Sequence, residues 1–405
     1  MPVHRVPFWL ERMPRSRRPS FPRLRGSAQA DVVIVGGGLT GCSCALAFAS
    51  ARVKVVLLEA EAVGQAGTAR RHGLVREDYE ASFREAATAH GTASARTMWR
   101  ALRRGSLELA AVLRRLDARA ALRPMDLLDV APRGVEAVLE REYRARRAAG
   151  LRHSWATPRA VAVETALESG GAIRTRGSEI DPYGACLSLA AAAAGRGAVI
   201  HERSRVVSVR HGRTGVEVNT DAGSVRAEVV VVATGDPLTD LRALRRHLKP
   251  MRGYSVVTEP LAASMRRSIG KRAAAARQAG APPHLLRWMP GDRVLFTGGD
   301  QPELPPRDRD RALIQRTGQL MYELSLLYPE ISGLAPAWAW DAVHYDTADH
   351  LPFAGTHRNF PRHLFTIGGG RHGAGFSWLA ARTVLRAFQG KADKGDALFG
   401  FARVL

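Results

Sequence analysis

The stretch Asp31-Val32-Val33-Ile34-Val35-Gly36-Gly37-Gly38-Leu39-Thr40-Gly41 decides the fold. A short β-branched run ending in glycines reads as a buried parallel strand. Residues 39–51 are small and apolar, which suits a helix packed tightly on a sheet, and Val53 to Leu58 reads as a second strand. Together they make one βαβ unit. Glycines at 36, 38 and 41 fit G-x-G-x-x-G between strand and helix, and Glu59 closes the second strand at the spacing expected of a ribose-binding acid. Gly36 permits the tight turn, Gly38 lets the backbone approach a pyrophosphate, and Gly41 lets helix and strand pack closely. The helix N-terminus then offers free N–H groups and a positive dipole end to the diphosphate. The residues read as a dinucleotide site, and they do not choose between nucleotides.

Working outward, residues 80–117 and 134–149 read as helices, followed by an alanine-rich helix around 185–195. Strands are expected near 198–209, 215–220 and 229–232, a helix at 308–327, then strand (364–367), glycine loop (368–375) and helix (377–389). The first βαβ unit and the last strand-loop-helix are expected in one sheet, interrupted by a second lobe. No internal repeat is present.

The chain has 405 residues, 45% hydrophobic and 24% charged, an ordinary globular composition. No apolar run approaches the roughly 20 residues of a membrane helix. Arg17-Arg18 lacks the apolar stretch an export signal requires, so a cytoplasmic protein with an extended basic arm over residues 1–30 is expected. The net charge of +22 predicts attraction to anionic partners. Only five of the 60 basic residues are lysine, however, and an arginine- and alanine-rich skew is what a GC-rich genome produces. The basic clusters at 15–25, 142–147 and 242–246 hold at most one aromatic each (Phe21, Tyr143) and form no aromatic-interleaved basic run, so nucleic acid is not the expected partner. Cys42, Cys44 and Cys186 make no disulfide framework. Cys42 and Cys44, two apart on a helix, point to nearly opposite sides, so packing is expected and no metal site.

Five further segments, in order, resemble the D-amino-acid oxidase/glycine oxidase/sarcosine oxidase family of FAD-dependent oxidoreductases. Gly64-Gln65-Ala66-Gly67-Thr68-Ala69-Arg70-Arg71-His72-Gly73 resembles the family's flavin-contacting loop G-x-G-A-S-G-R-N-x-G. Gly64, Arg70 and Gly73 match, Thr68 supplies the hydroxyl, and Ala66, Gly67, Ala69 and Arg71 depart. Gly177 to Pro182 resembles the turn before a nucleotide-domain helix, and Ala233-Thr234-Gly235 the A-T-G turn near adenosine. Thr347 to Gly355 fits T-x-D-x-x-P-x-x-G, and Gly368 to Gly375 resembles a glycine-rich flavin loop.

The resemblance implies an α/β fold: a discontinuous Rossmann-type FAD-binding domain (31–95, 160–248, 346–405) and a second α+β substrate domain on a mixed or antiparallel sheet (96–159, 249–345). It implies FAD held by Gly36, Gly38, Leu39, Thr40, Gly41, Glu59, Ala60, Gly67, Thr68, Arg70, His72, Gly73, Val206, Val207, Ala233, Thr234, Gly235, Gly355, Gly370, Arg371, His372, Gly373 and Ala374. No cysteine follows Cys186, and His72 is out of register with the histidine that carries flavin in dehydrogenase relatives, so the expected FAD is non-covalent. A helix N-terminus starting near Ser377 would stabilise negative charge on reduced flavin. The implied reaction oxidises the C–N bond of a small amine or amino acid by hydride transfer to flavin N5, with oxygen or a quinone as electron acceptor.

Arginine suits a substrate carboxylate. Family-like positions therefore nominate Arg287 and Arg76, with Tyr254 on a cavity strand and His372 in the C-terminal loop. Against these stand a surface role for any one arginine in so arginine-rich a chain and a packing role for Tyr254. Trp338 and Trp340 are expected in the core or cavity wall. A nicotinamide-dependent dehydrogenase, a nucleic-acid-associated protein and a non-catalytic flavin-binding protein stay open as alternatives.

Overall fold

The computed structural model describes residues 3–116, 121–235, 241–271, 274–278, 283–370 and 372–404. Val32–Val35 is buried at every position, so both its faces must be covered. It lies inside a six-stranded sheet ordered Val199–His201, Val55–Leu58, Val32–Val35, Val229–Val232, Phe360–Ile367, Phe353–His357. The first five strands are parallel and the last is antiparallel. Val229–Val232 pairs with Val32–Val35 on one side and Phe360–Ile367 on the other. The two ends of the chain thus share one sheet, as their patterns imply.

Alternation along these strands divides the core. Val32, Ile34, Val55 and Leu57 pack with residues of the helices Leu39–Ser50, Pro182–Ala194 and Gly375–Phe388. Val33, Val35, Val56 and Leu58 face Val216, Val218 and Val225 of an antiparallel meander. Small residues let the helices approach: Cys42 and Cys186 are buried thiols with their sulfurs 3.6 Å apart. Among the described residues no group is placed to hold a metal ion, and no helix is long and apolar enough to cross a membrane.

The second sheet has eight strands, ordered Pro336–Asp346, Lys249–Thr258, Arg293–Pro302, Leu285–Met289, Ala274–Gln278, Asp126–Ala131, Gly171–Thr175, Ser154–Ala156. It is mixed, mostly antiparallel. Helix Pro306–Leu327 covers one face through Leu313, Leu320 and Leu324. The strand Gly171–Thr175 lies here rather than in the nucleotide-binding part, where the boundary at 160 put it. The stretch 80–117 holds two helices, Phe83–His90 and Thr92–Arg115, because Gly91 at φ +82° interrupts the turn pattern.

The N-terminal arm is packed, not extended. Helix Phe8–Arg12 buries Phe8 and Trp9, Leu24 is also buried, and Gly26–Gln29 pairs in parallel with Gly223–Ala227. The arm is arginine-rich, yet its large apolar residues decide its placement, since burial of one such side chain contributes about 1.5–3 kcal/mol.

Candidate functional site

A cavity of about 530 Å³ opens at the C-terminal ends of the parallel strands, where ligands bind in open α/β sheets. At one end stand Gly36, Gly38, Leu39, Thr40, Glu59 and Ala60. Gly36 has φ +107°, and a Cβ there would sit 2.7 Å from the carbonyl oxygen of Ala233. A Cβ on Gly41 would lie 1.8 Å from the carbonyl oxygen of Gly36, so Gly41 sets the packing of helix on strand and does not line the cavity. The Glu59 carboxylate accepts from the N–H of Gly37 at 2.6 Å and of Glu61 at 2.9 Å. Burial raises its pKa, opposed by those two N–H groups. Val206 and Val207 with Ala233, Thr234 and Gly235 form the adjoining wall.

The middle is built by Gly67, Thr68, His72 and Gly73. Thr68 Oγ1 accepts from the Leu39 N–H at 2.9 Å, tying this loop to the first helix. The far end holds Gly370, Gly373, Ala374, Phe376 and Ser377, at the start of helix Gly375–Phe388. That helix begins two residues earlier than expected. Two helix N-termini thus open on one cavity.

Three further expected contacts fall elsewhere, and a fourth residue is not among those described. Arg70 turns away and donates to the Asp341 carbonyl at 2.9 Å. Gly355, within Phe353–His357, does not line the cavity. His372 is buried behind the glycine loop with its ring 5.2 Å from Tyr79, edge-on, outside the cavity wall. Arg371 lies outside the described residues.

A smaller chamber of about 90 Å³ lies between the eight-stranded sheet and the 70–72 loop and shares Arg71, His72 and Gly370 with the large cavity. Tyr254 forms part of its wall, its hydroxyl accepting from Gln301 Nε2 at 2.7 Å. Arg70, Arg71 and Arg277 face this chamber together with Glu80, Asp300, His284 and His344. Arg287 and Arg76, expected at the substrate, are held in the interior instead. Arg287 donates to the carbonyls of His72 (2.8 Å) and Gly73 (2.7 Å) and to Glu179 (2.7 Å), and burial lowers its pKa to about 10. Arg76 pairs with Asp78 at 3.1 Å and lies 3.6 Å from Asp129. Arg146 reaches Asp78 at 3.0 Å and Arg277 reaches Asp129 at 2.7 Å. Burial alone would raise the Asp78 carboxyl, but Arg76, His153 and Arg146 hold it well below the usual range.

The chamber residues missed from the sequence come from separate strands and loops. Only Arg71 carried a signal, as a departure inside the loop it belongs to.

The family description "FAD dependent oxidoreductase" (DAO) matches residues 31–387. Glycine oxidase of Geobacillus kaustophilus is 26% identical over 349 residues, covering 84% of this chain and 87% of that protein. Gamma-glutamylputrescine oxidoreductase of Escherichia coli is 24% identical over 383 residues, covering 93% and 88%. The crystal structure of the Geobacillus glycine oxidase superposes with a TM-score of 0.75 at 21% identity, covering 93% of this chain and 100% of that one. L-Proline dehydrogenase from P. horikoshii superposes with a TM-score of 0.70 at 18% identity, covering 92% and 96%. The chain belongs to the DAO family of FAD-dependent oxidoreductases, and FAD is its cofactor.

Proposed function

We propose that the protein oxidises the C–N bond of a small amine or amino acid, with FAD held non-covalently in the 530 Å³ cavity. The observation that carries this is the meeting of the two cavities: Arg71, His72 and Gly370 belong to both, so a substrate in the chamber abuts the flavin end of the large cavity. FAD fits the residues present. Gly36 and Gly38 leave room for its diphosphate against the first helix, Glu59 suits a ribose, and Ala374 to Ser377 present a helix N-terminus to the other end. The buried Cys42, Cys44 and Cys186 are absent from the cavity wall, in keeping with non-covalent attachment. Bound FAD supplies a hydride acceptor.

This chain's own side chains position the substrate. Arg71 and Arg277 share the chamber wall with Glu80 and Asp300, an arrangement suited to a molecule carrying both a cationic amine and an anionic group. The names of the relatives point the same way, since glycine, L-proline and gamma-glutamylputrescine all carry an amine. A nicotinamide dehydrogenase has no part for the 64–73 and 368–375 loops.

The test mixes the FAD-loaded protein without oxygen with glycine, L-proline and gamma-glutamylputrescine. Bleaching of the visible flavin bands by one of them is expected, followed by their return on adding oxygen or a quinone. Protein that holds FAD and is bleached by dithionite but by no amine in a broad panel overturns the proposal. Acid precipitation should leave yellow FAD in the supernatant.

A further inference from the structure

The cofactor loop has an unusual feature in its backbone. Four successive carbonyls, from Arg70 to Gly73, each accept from a buried side chain. Trp340 Nε1 donates to Arg70 at 3.0 Å, Trp9 Nε1 to Arg71 at 2.9 Å, and Arg287 Nη1 to His72 at 2.8 Å and Gly73 at 2.7 Å. None of these three donors lines either cavity, whereas His72 and Gly73 line the large one. In a trans peptide the N–H points opposite to the preceding carbonyl. Drawing the carbonyls of Arg71 and His72 into the protein therefore turns the N–H groups of His72 and Gly73 toward the cavity. Gly73 takes φ +71° to allow this, and a Cβ there would meet the Ile180 carbonyl oxygen at 2.4 Å and the Trp9 ring at 3.1 Å.

Trp9 comes from the N-terminal arm, which precedes the stretch 31–387 that matches the family. The arm is anchored on both sides of the loop. His4 exchanges backbone bonds with Ala337 and Ala339, and Trp338 Nε1 donates to Glu11 at 2.6 Å. Beyond the loop, the Phe21 N–H donates to Glu202 and the Leu24 N–H to Ser204. Trp9 also lies under the Arg287 guanidinium at 5.7 Å.

We propose that the N-terminal arm is a working part of the cofactor site: Trp9 is a positioning residue that, with Trp340 and Arg287, holds the 70–73 backbone so that the His72 and Gly73 N–H groups face the oxygen-bearing groups of FAD. The proposal rests on FAD occupying the large cavity and is independent of the substrate.

The test titrates the apoprotein with FAD, following flavin fluorescence and the visible spectrum of the bound form. Trp9→Phe keeps most of the ring and loses the donor. It should weaken FAD binding roughly 5- to 30-fold, the worth of one buried hydrogen bond and the group left unpaired by its loss, and shift the bound flavin's visible bands. Arg23→Ala breaks an exposed pair with Asp221 at the arm's far end and should stay within about twofold of wild type. A Trp9→Phe protein with the wild-type dissociation constant and spectrum overturns the proposal. Should that variant not fold, Trp340→Phe decides by the same two readings. Wild-type apoprotein that takes up no FAD sinks the cofactor reading itself.

Discussion

At the scale of single residues, His72 shows how a site alters its own chemistry. Burial, and then the charges of Arg71, Arg76, Arg287 and Arg277, lower its imidazole from 6.5 to about 3. That favours the neutral imidazole near neutral pH. The unfolded chain binds the proton first, so this group's contribution is fully present above pH 6.5 and is lost as the pH falls through the window from 6.5 to 3. Urea unfolding of the apoprotein at pH 7 and pH 4.5 checks it: His72→Gln should lose less stability between those two values than wild type. Parallel losses would exclude His72 as the titrating group. The glycines at 36, 38 and 41 were legible because each answers to a local demand of the strand-turn-helix, whereas Arg287 and Arg76 misled. Sequence position says that an arginine lies near the cavity, but only neighbours such as Glu179, or Asp78 and Asp129, reveal what its guanidinium already holds.

At the scale of elements, the buried ionic cluster joins three parts of the chain. Arg76 ends the strand Leu74–Arg76, Asp129 lies in Asp126–Ala131, and Arg146 comes from helix Glu136–Ala148. Asp78 is fully buried between Arg76 and Arg146 and also accepts from Thr175 Oγ1 at 3.1 Å. Asp78→Ala leaves two buried guanidiniums short of their counter-charge and should cost about 3–5 kcal/mol of stability, read from denaturant midpoints. A loss below about 1 kcal/mol would mean that Asp129 and Glu142 suffice. Helices were legible from composition and periodicity, and so was the early strand pair. The joints between elements were not, because a cross-strand or helix-to-strand ion pair leaves no spacing in the sequence.

At the scale of the whole molecule, the two sheets meet around the cofactor loop. Trp340 of the eight-stranded sheet, Trp9 of the arm and the Leu39 N–H at the first helix's N-terminus all grip residues 68–73. Free FAD at a hundred times its dissociation constant should raise the unfolding free energy by about 2.7 kcal/mol. Because the loop is held from both sheets, calorimetry should show the whole transition moving. If two peaks appear and only one moves, the sheets unfold independently and the loop does not couple them.

The sequence by itself determined the dinucleotide-binding βαβ unit, the pairing of the chain's two ends in one sheet, and the family. Those features are written in residues close along the chain, where turn geometry and side-chain periodicity act. Tertiary structure alone decided that the arm is bound rather than free, that Arg287 and Arg76 brace the interior, and that Arg71, Arg277, Glu80 and Asp300 face one chamber. The physical reason is range. A strand or a glycine turn follows from its own few residues, but the partner of a buried charge or an indole N–H depends on which distant segments the packed core brings within about 3 Å.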